Sequence, residues 1–338
     1  MITFFVKKEK FIFNITLSQI MFKIIDRKIV YELNWNARQT HTNLAKKLRI
    51  SKQVISYRIK QLEKKGVIKS YHAVIDWRKM GYNAIRIYIK WQDIDPNQEK
   101  EIYTEIQNDP LFMWSVRFEG EIDLAFYVWV KSIPEFSEKW FLFINKFKKF
   151  IFHYEIYESV DMVHYPWKFL IDKPKTEELI IGREREEKID IIDYEILKQI
   201  TRDGQISIIE IAKKINLTSK AALYRLRNLE KKRIILGYYA LLDEKKLGCI
   251  FYKIDFYLRD LSRIKEMNEY AKQHPNVVYR MRTIGGPDLE IEVVVADAIE
   301  MKKIITEIRE RFTGIIHHYR FHRFEHTIKQ VYLPGEKA

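Results

Sequence analysis

The residues with the most to say about chemistry lie in one short segment and in its echo. In 52–62 (KQVISYRIKQL), Ile55, Ile59 and Leu62 recur at i, i+4 and i+7, which predicts a helix burying that face. Gln53, Ser56, Tyr57 and Lys60 then point away, with Lys52 at the N-terminal end and Arg58 at the flank. Long cationic side chains reach phosphates, and small polar groups meet base edges. The set therefore suits double-stranded DNA read through its major groove. The same frame returns 167 positions later with Ser219, Lys220, Leu223, Tyr224, Arg225 and Arg227. There Leu223 replaces Ser56, and an apolar side chain touches only a thymine methyl or a sugar edge. Base reading is thus expected to be unequal, and the DNA site asymmetric.

Other chemistries are poorly served. A single cysteine, Cys249, excludes a disulfide framework and a thiolate-built zinc site. There is no glycine-rich phosphate loop, nucleophile elbow or supported Cys-His dyad, so the residues imply no enzyme, cofactor or metal. His317, His318, His322 and His326 crowd the end of the chain. His318, His322 and His326 would share one strand face, but such neighbours lie about 13 Å apart. They read as a polar edge or an inter-domain face. All seven tryptophans precede residue 168, and most read as core rather than as a ligand cage.

The elements that must position the basic helix recur as a unit. Residues 24–81 align without gaps with 191–248, matching Ile25/Ile192, Asp26/Asp193, Tyr57/Tyr224, Arg58/Arg225 and Gly81/Gly248. Beyond them the offset becomes 165, and Gly120-x-x-Asp123 faces Gly285-x-x-Asp288. Each copy opens with three short helices. In the first, Ile25, Ile29 and Leu33 mark one helix, Leu44, Ala45 and Leu48 the next, and Ser51 caps the third. Ser207-x-x-Glu210 is a capping box in the second copy. Three helices followed by a strand pair is the winged helix-turn-helix plan. Each copy closes with alternating strands and amphipathic helices in the order βαββαβ, a ferredoxin-like α+β body. One sheet face is aromatic-rich and open, and the other copy's sheet is its expected partner.

Charge follows the same division. The chain carries 60 Lys+Arg against 46 Asp+Glu, a net +14. Residues 22–75 hold 13 bases and 3 acids (+10), and 189–242 hold 10 and 6 (+4), leaving the rest neutral in sum. Counterion release on DNA would use charge placed this way. No apolar run of about 18 residues predicts a membrane span. Lys7, Lys8, Glu9 and Lys10 spoil a secretory leader, so a cytoplasmic, nucleoid-associated protein is expected.

A head opening with Ile-Asp, the run Leu-Glu-Lys-x-x-x-Ile leading to Tyr-x-Ala-x-x-Asp, and a βαββαβ body with Gly-x-x-Asp resemble the Lrp/AsnC family of feast/famine transcriptional regulators. The resemblance covers about 22–166 and 189–334. It implies DNA contacts on the third helices, dimerisation through the bodies, and a small effector such as an amino acid near Gly120, Asp123, Gly285 and Asp288. The bland reading of those four is a tight turn with a capping aspartate. The tandem resembles a covalent pseudo-dimer, whose bodies also offer a route to self-assembly. The expected divisions are an extension (1–21), heads at 22–78 and 189–245, bodies at 79–167 and 246–334, and a solvated, charged linker (168–188). Two alternatives remain: a sirohaem decarboxylase-like enzyme on the same fold, although its His-Asn-aromatic strand motif is missing, and a nucleoid architectural protein.

Overall fold

A computed structural model describes residues 23–336; the expected extension at 1–21 lies outside the described residues. The first head holds α1 (Ile24–Trp35), α2 (His41–Leu48), α3 (Lys52–Lys64) and β1 (Ile68–Ile75). The first body holds β2 (Asn83–Trp91), α4 (Pro96–Asn108), β3 (Phe112–Gly120), β4 (Leu124–Val130), α5 (Ile133–Phe147) and β5 (Ile151–His164). A short β6 (Leu179–Ile181) precedes the second head of α6 (Ile191–Arg202), α7 (Ile208–Lys214), α8 (Ser219–Lys231) and β7 (Ile235–Leu242). The second body follows as β8 (Ile250–Leu258), α9 (Ile264–Gln273), β9 (Val277–Ile284), β10 (Leu289–Val295), α10 (Ala298–Arg311) and β11 (Ile316–Gln330).

Local signals set the helix ends. Thr40 and Ser51 accept hydrogen bonds from the Asn43 and Val54 N–H groups, filling donors that a helix start leaves free. Ser207 and Glu210 form the expected capping box. Between α2 and α3 the chain turns through Arg49 at φ 56°, and Asn216 repeats this at φ 55° in the second head. Both residues sit in the left-handed region, which sets the two helices at an angle within a few residues.

The strand pair expected within each head is instead made between the heads. Among the described residues each head supplies one strand, and β1 runs antiparallel to β7 with Ala73 opposite Tyr238. Each head's core is completed by the other's strand. Ala240 and Leu242 of β7 join Ile29, Leu33, Leu44 and Ile55. Ala73 and Ile75 of β1 join Ile196, Ile200 and Leu226. Gly204 N–H donates to the Tyr71 carbonyl, and Arg38 donates to the Gly204 and Ile206 carbonyls.

The bodies exchange strands as well. β5 pairs its first half with β2 of its own copy and its second half with β9 of the other. β11 does the same with β8 and then β3. With β2–β4–β3 and β8–β10–β9 between them, eight strands close into a ring, and β6 adds to the free stretch of β5. The aromatic-rich faces meet inside the ring, as expected. Ile85, Ile87 and Ile89 point out onto Ile102 and Ile106 of α4 and Phe143 of α5. Ile254, Phe256 and Ile291 point onto Met267 of α9 and Ile304 and Ile308 of α10.

Strand alternation turns the other residues inward, and many carry charge. Arg86 and Lys253, at equivalent positions of β2 and β8, both pair with Glu290 of β10. Arg320 bridges Glu155 (2.8 Å) and Asp255 (3.1 Å). Burial raises the pKa of Glu290, but Arg86 and Lys253 outweigh it and hold the carboxyl below its usual range.

The linker departs in part from the solvated reading. Lys168 is buried and donates to the Lys272 carbonyl at 2.7 Å. Arg183 pairs with buried Asp161 at 2.7 Å, and Gly182 N–H donates to Asp76. Lys168 and Arg183 thus dock the segment, while Asp172, Lys173, Lys175, Arg185 and Lys188 stay exposed as expected of a solvated linker.

Removing one partner of a buried ion pair strands the other. Glu290→Gln is expected to lower stability by about 3–5 kcal/mol in urea unfolding. Lys139→Ala, which breaks an exposed i,i+4 pair with Glu135, should change it by less than about 0.5 kcal/mol.

Candidate nucleic-acid interface

On α3 the apolar face (Ile55, Ile59, Leu62) is buried, while Lys52, Gln53, Tyr57 and Lys60 are exposed. On α8 Ala222, Leu226 and Leu229 are buried, and Ser219, Lys220, Tyr224 and Arg227 are exposed. Tyr57 and Tyr224 keep 64% and 74% of their surface in solvent, unusually open for aromatics. Leu223 is half-buried.

Three of the expected contacts are otherwise engaged. Arg58 pairs with Asp26 of α1 at 2.8 Å. Arg225 repeats this with Asp193 of α6, also at 2.8 Å, and reaches Asp190. These arginines clamp the recognition helix to the first helix of its head. The matching Ile-Asp openings at 25–26 and 192–193 supply the acids of the clamp. Ser56 is half-buried, with its hydroxyl 2.8 Å from His41 Nδ1. Periodicity places these residues on a flank but does not reveal their partners.

The two Gly-x-x-Asp segments form matching turns. Asp123 accepts from the Trp91 N–H at 2.8 Å and pairs with Lys90 at 2.8 Å. Asp288 accepts from the Leu258 N–H at 2.7 Å. Gly120 and Gly285 take φ of 146° and 83°, which side-chain-bearing residues rarely adopt. Each aspartate ties its turn to the first strand of its own body, β2 or β8.

Of the four histidines near the end, His317 and His318 are exposed, whereas His322 is fully buried within the ring, 3.6 Å from Asp255. Strand irregularity between Phe324 and His326 breaks the shared face expected for them. Among the described residues no group of His, Cys, Asp and Glu is placed to hold a metal.

Sequence reasoning missed a cavity of about 240 Å³ beneath the β1–β7 ribbon, at the mouth of the ring. Trp77, Trp114, Trp129 and Trp167 line it; Trp77 and Trp167 are also core members as expected, and Trp114 and Trp129 are partly buried against the core. Trp91 and Trp140 are core as expected. Glu292 of β10 also faces the cavity. A signal was present in LEIEVVV (289–295), where alternation sets Glu290 and Glu292 on one buried face. His164, fully enclosed and stacked on Tyr279 at 4.8 Å, has its pKa lowered by burial to about 4.

Two helix-turn-helix heads with open recognition helices, on a doubled α+β body, define a DNA-binding protein of the winged helix-turn-helix class. A winged helix-turn-helix DNA-binding family model matches residues 22–69 and 189–235. The chain is 28% identical to the leucine-responsive regulatory protein of Haemophilus influenzae over 136 residues, 39% of this chain and 82% of that protein. It is 32% identical over 97 residues to the HTH-type transcriptional regulator YezC of Bacillus subtilis, 29% of this chain and 68% of that protein. The chain belongs to the Lrp/AsnC family of helix-turn-helix regulators. Its whole architecture is similar to that of the sirohaem decarboxylase NirDL, with TM-score 0.63, 14% identity, and 92% and 94% of the two chains covered. At that identity the likeness is one of fold.

The clamp has a measurable consequence. Arg58→Ala should cost about 1–3 kcal/mol in thermal unfolding, as expected for a hydrogen bond between charged groups. Exposed Lys60→Ala should leave the transition within about 0.5 kcal/mol.

Proposed function

We propose that this chain is a sequence-specific, DNA-binding transcriptional regulator that works as a covalent pseudo-dimer with unequal heads. One observation carries the reading. Both recognition helices leave a basic and aromatic face open, and both heads are held to one ribbon, so two DNA-reading surfaces come in a set arrangement. Lys52, Gln53, Tyr57 and Lys60 are the contacts favoured in the first head, and Ser219, Lys220, Tyr224 and Arg227 in the second. Arg58 and Arg225 act as positioning residues. The family suggests a small effector such as an amino acid near Gly120, Asp123, Gly285 and Asp288.

A decarboxylase reading draws on the full-length likeness to NirDL. The cavity disfavours it. Sirohaem is a polycarboxylate, yet Glu244, Glu292 and Glu325 line the cavity and, among the described residues, no lysine or arginine does. Like charges facing one another in a confined site oppose binding.

Binding to the chain's own promoter DNA should fall steeply with salt. Lys60→Ala should reduce the slope of log K against log [salt] by about one, uniformly across sequences. Footprinting should find two half-sites of unequal information. Salt-independent binding, or two equivalent half-sites, would count against the regulator as described.

A further inference from the structure

The cavity at the ring mouth lies astride the pseudo-twofold relating the copies. Its walls are equivalent positions carrying unlike residues. Val74 corresponds to Leu241, Trp77 to Glu244, Trp114 to Tyr279, and Tyr127 to Glu292. The indole rings come from the first copy and the carboxylates from the second, while both supply phenol rings. A symmetric dimer of two identical chains would place the same residue on both sides, whereas the two copies in this chain place unlike ones.

Glu292 is its polar centre. The residue is 9% exposed, and among the described residues no hydrogen bond or ion pair engages its carboxyl. Its cross-strand neighbour Lys253 is committed to Glu290. A buried carboxyl without a partner is costly, and a ligand cation would relieve that cost. Aromatic faces attract cations through the ring quadrupole, so the surrounding Trp114, Trp129, Tyr127 and Tyr279 suit the same charge. The volume, about 240 Å³, falls below the about 300–1,000 Å³ of drug-sized sites.

The geometry points to this cavity as a binding site for a small organic ammonium ion, a monocation with an apolar body, whose charge meets Glu292 and whose body lies among the aromatic rings. The site is separate from the Gly-x-x-Asp turns and does not depend on how the heads read DNA.

Burial raises the Glu292 pKa to about 7, with Lys253 and Arg86 opposing and Glu290 and Asp255 adding to the rise. A bound cation favours the ionised form, so binding releases a proton and tightens as pH rises through 7. Affinity at pH 6 is expected to be about tenfold weaker than at pH 8. Glu244, Glu325, His164 and His326 face the same cavity, so a Glu292→Gln protein provides the baseline.

The test uses the full chain with 2-phenylethylammonium, and with 2-phenylethanol as its neutral counterpart, read by titration calorimetry and tryptophan fluorescence. The expected result is saturable quenching by the amine with at least tenfold preference over the alcohol. Both that preference and the pH dependence should vanish in Glu292→Gln. Should that variant fail to fold, the amine-to-alcohol ratio at pH 6 and pH 8 in the unmodified chain decides alone. Absence of saturable amine binding, equal affinity for amine and alcohol, or a preference that survives in Glu292→Gln would each overturn the proposal. Tighter binding of iron-uroporphyrin than of the amine would overturn it as well.

Discussion

Neither copy of the repeat completes its own hydrogen bonding, and the rest of the molecule depends on that constraint. An unpaired strand edge exposes a row of backbone donors and acceptors. Here the edges are satisfied across the repeat. β1 takes β7, β5 runs from its own β2 to the other copy's β9, and β11 runs from β8 to β3. The head cores follow the same rule, because α1 needs Leu242 and α6 needs Ile75. The two copies therefore assemble as one cooperative body. Joining them in one chain makes the partner always present and removes the concentration dependence that limits obligate dimers.

Closing the ring fixes what its interior must contain. Both sheets turn one face inward, and that face carries Arg86, Lys253, Glu290, Asp255 and Arg320. Such charges are tolerated only when paired, and the pairs run between copies: Arg86 with Glu290, and Arg320 with Glu155. The network thus specifies how the halves dock as well as filling the space between them. Glu292, one pleat beyond Glu290, is left over and faces the cavity. Fusion freed equivalent positions to diverge, and this is where the divergence collects. Trp77 and Glu244 answer one another across the axis, as do Tyr127 and Glu292. The heads diverged in the same way, with Ser56 on one recognition helix and Leu223 on the other.

Much of the architecture was legible before any coordinates. The three-helix heads follow from apolar spacing and from caps at Ser51 and Ser207, because helix ends depend on neighbours three residues away. The bodies follow from alternation in strands such as 84–91 and 289–295. Partners across long separations were not legible. The strand of each head reads as half of a local hairpin, since pattern reports that a strand has two faces but not whose edge it meets. The linker reads as solvated because its bases and acids balance, yet Arg183 and Lys168 are spent on body groups. Arg58 reads as a phosphate contact because its type and flank position allow it. Only its 2.8 Å approach to Asp26 shows that it holds the helix in place.

By itself the sequence determined that the chain is one unit used twice, that each unit pairs a helix-turn-helix head with an α+β body, and that basic charge concentrates on the heads. These properties rest on composition and on contacts a few residues apart, which periodicity records. The tertiary structure alone decided that the copies interlock, that Arg58 and Arg225 are clamps, and that four tryptophans and Glu292 enclose a cavity. The clamps join helices 32 positions apart within a head, whereas the interlock and the cavity join residues more than a hundred positions apart, and the cavity's chemistry arises only when strand exchange brings the two copies' unlike residues together.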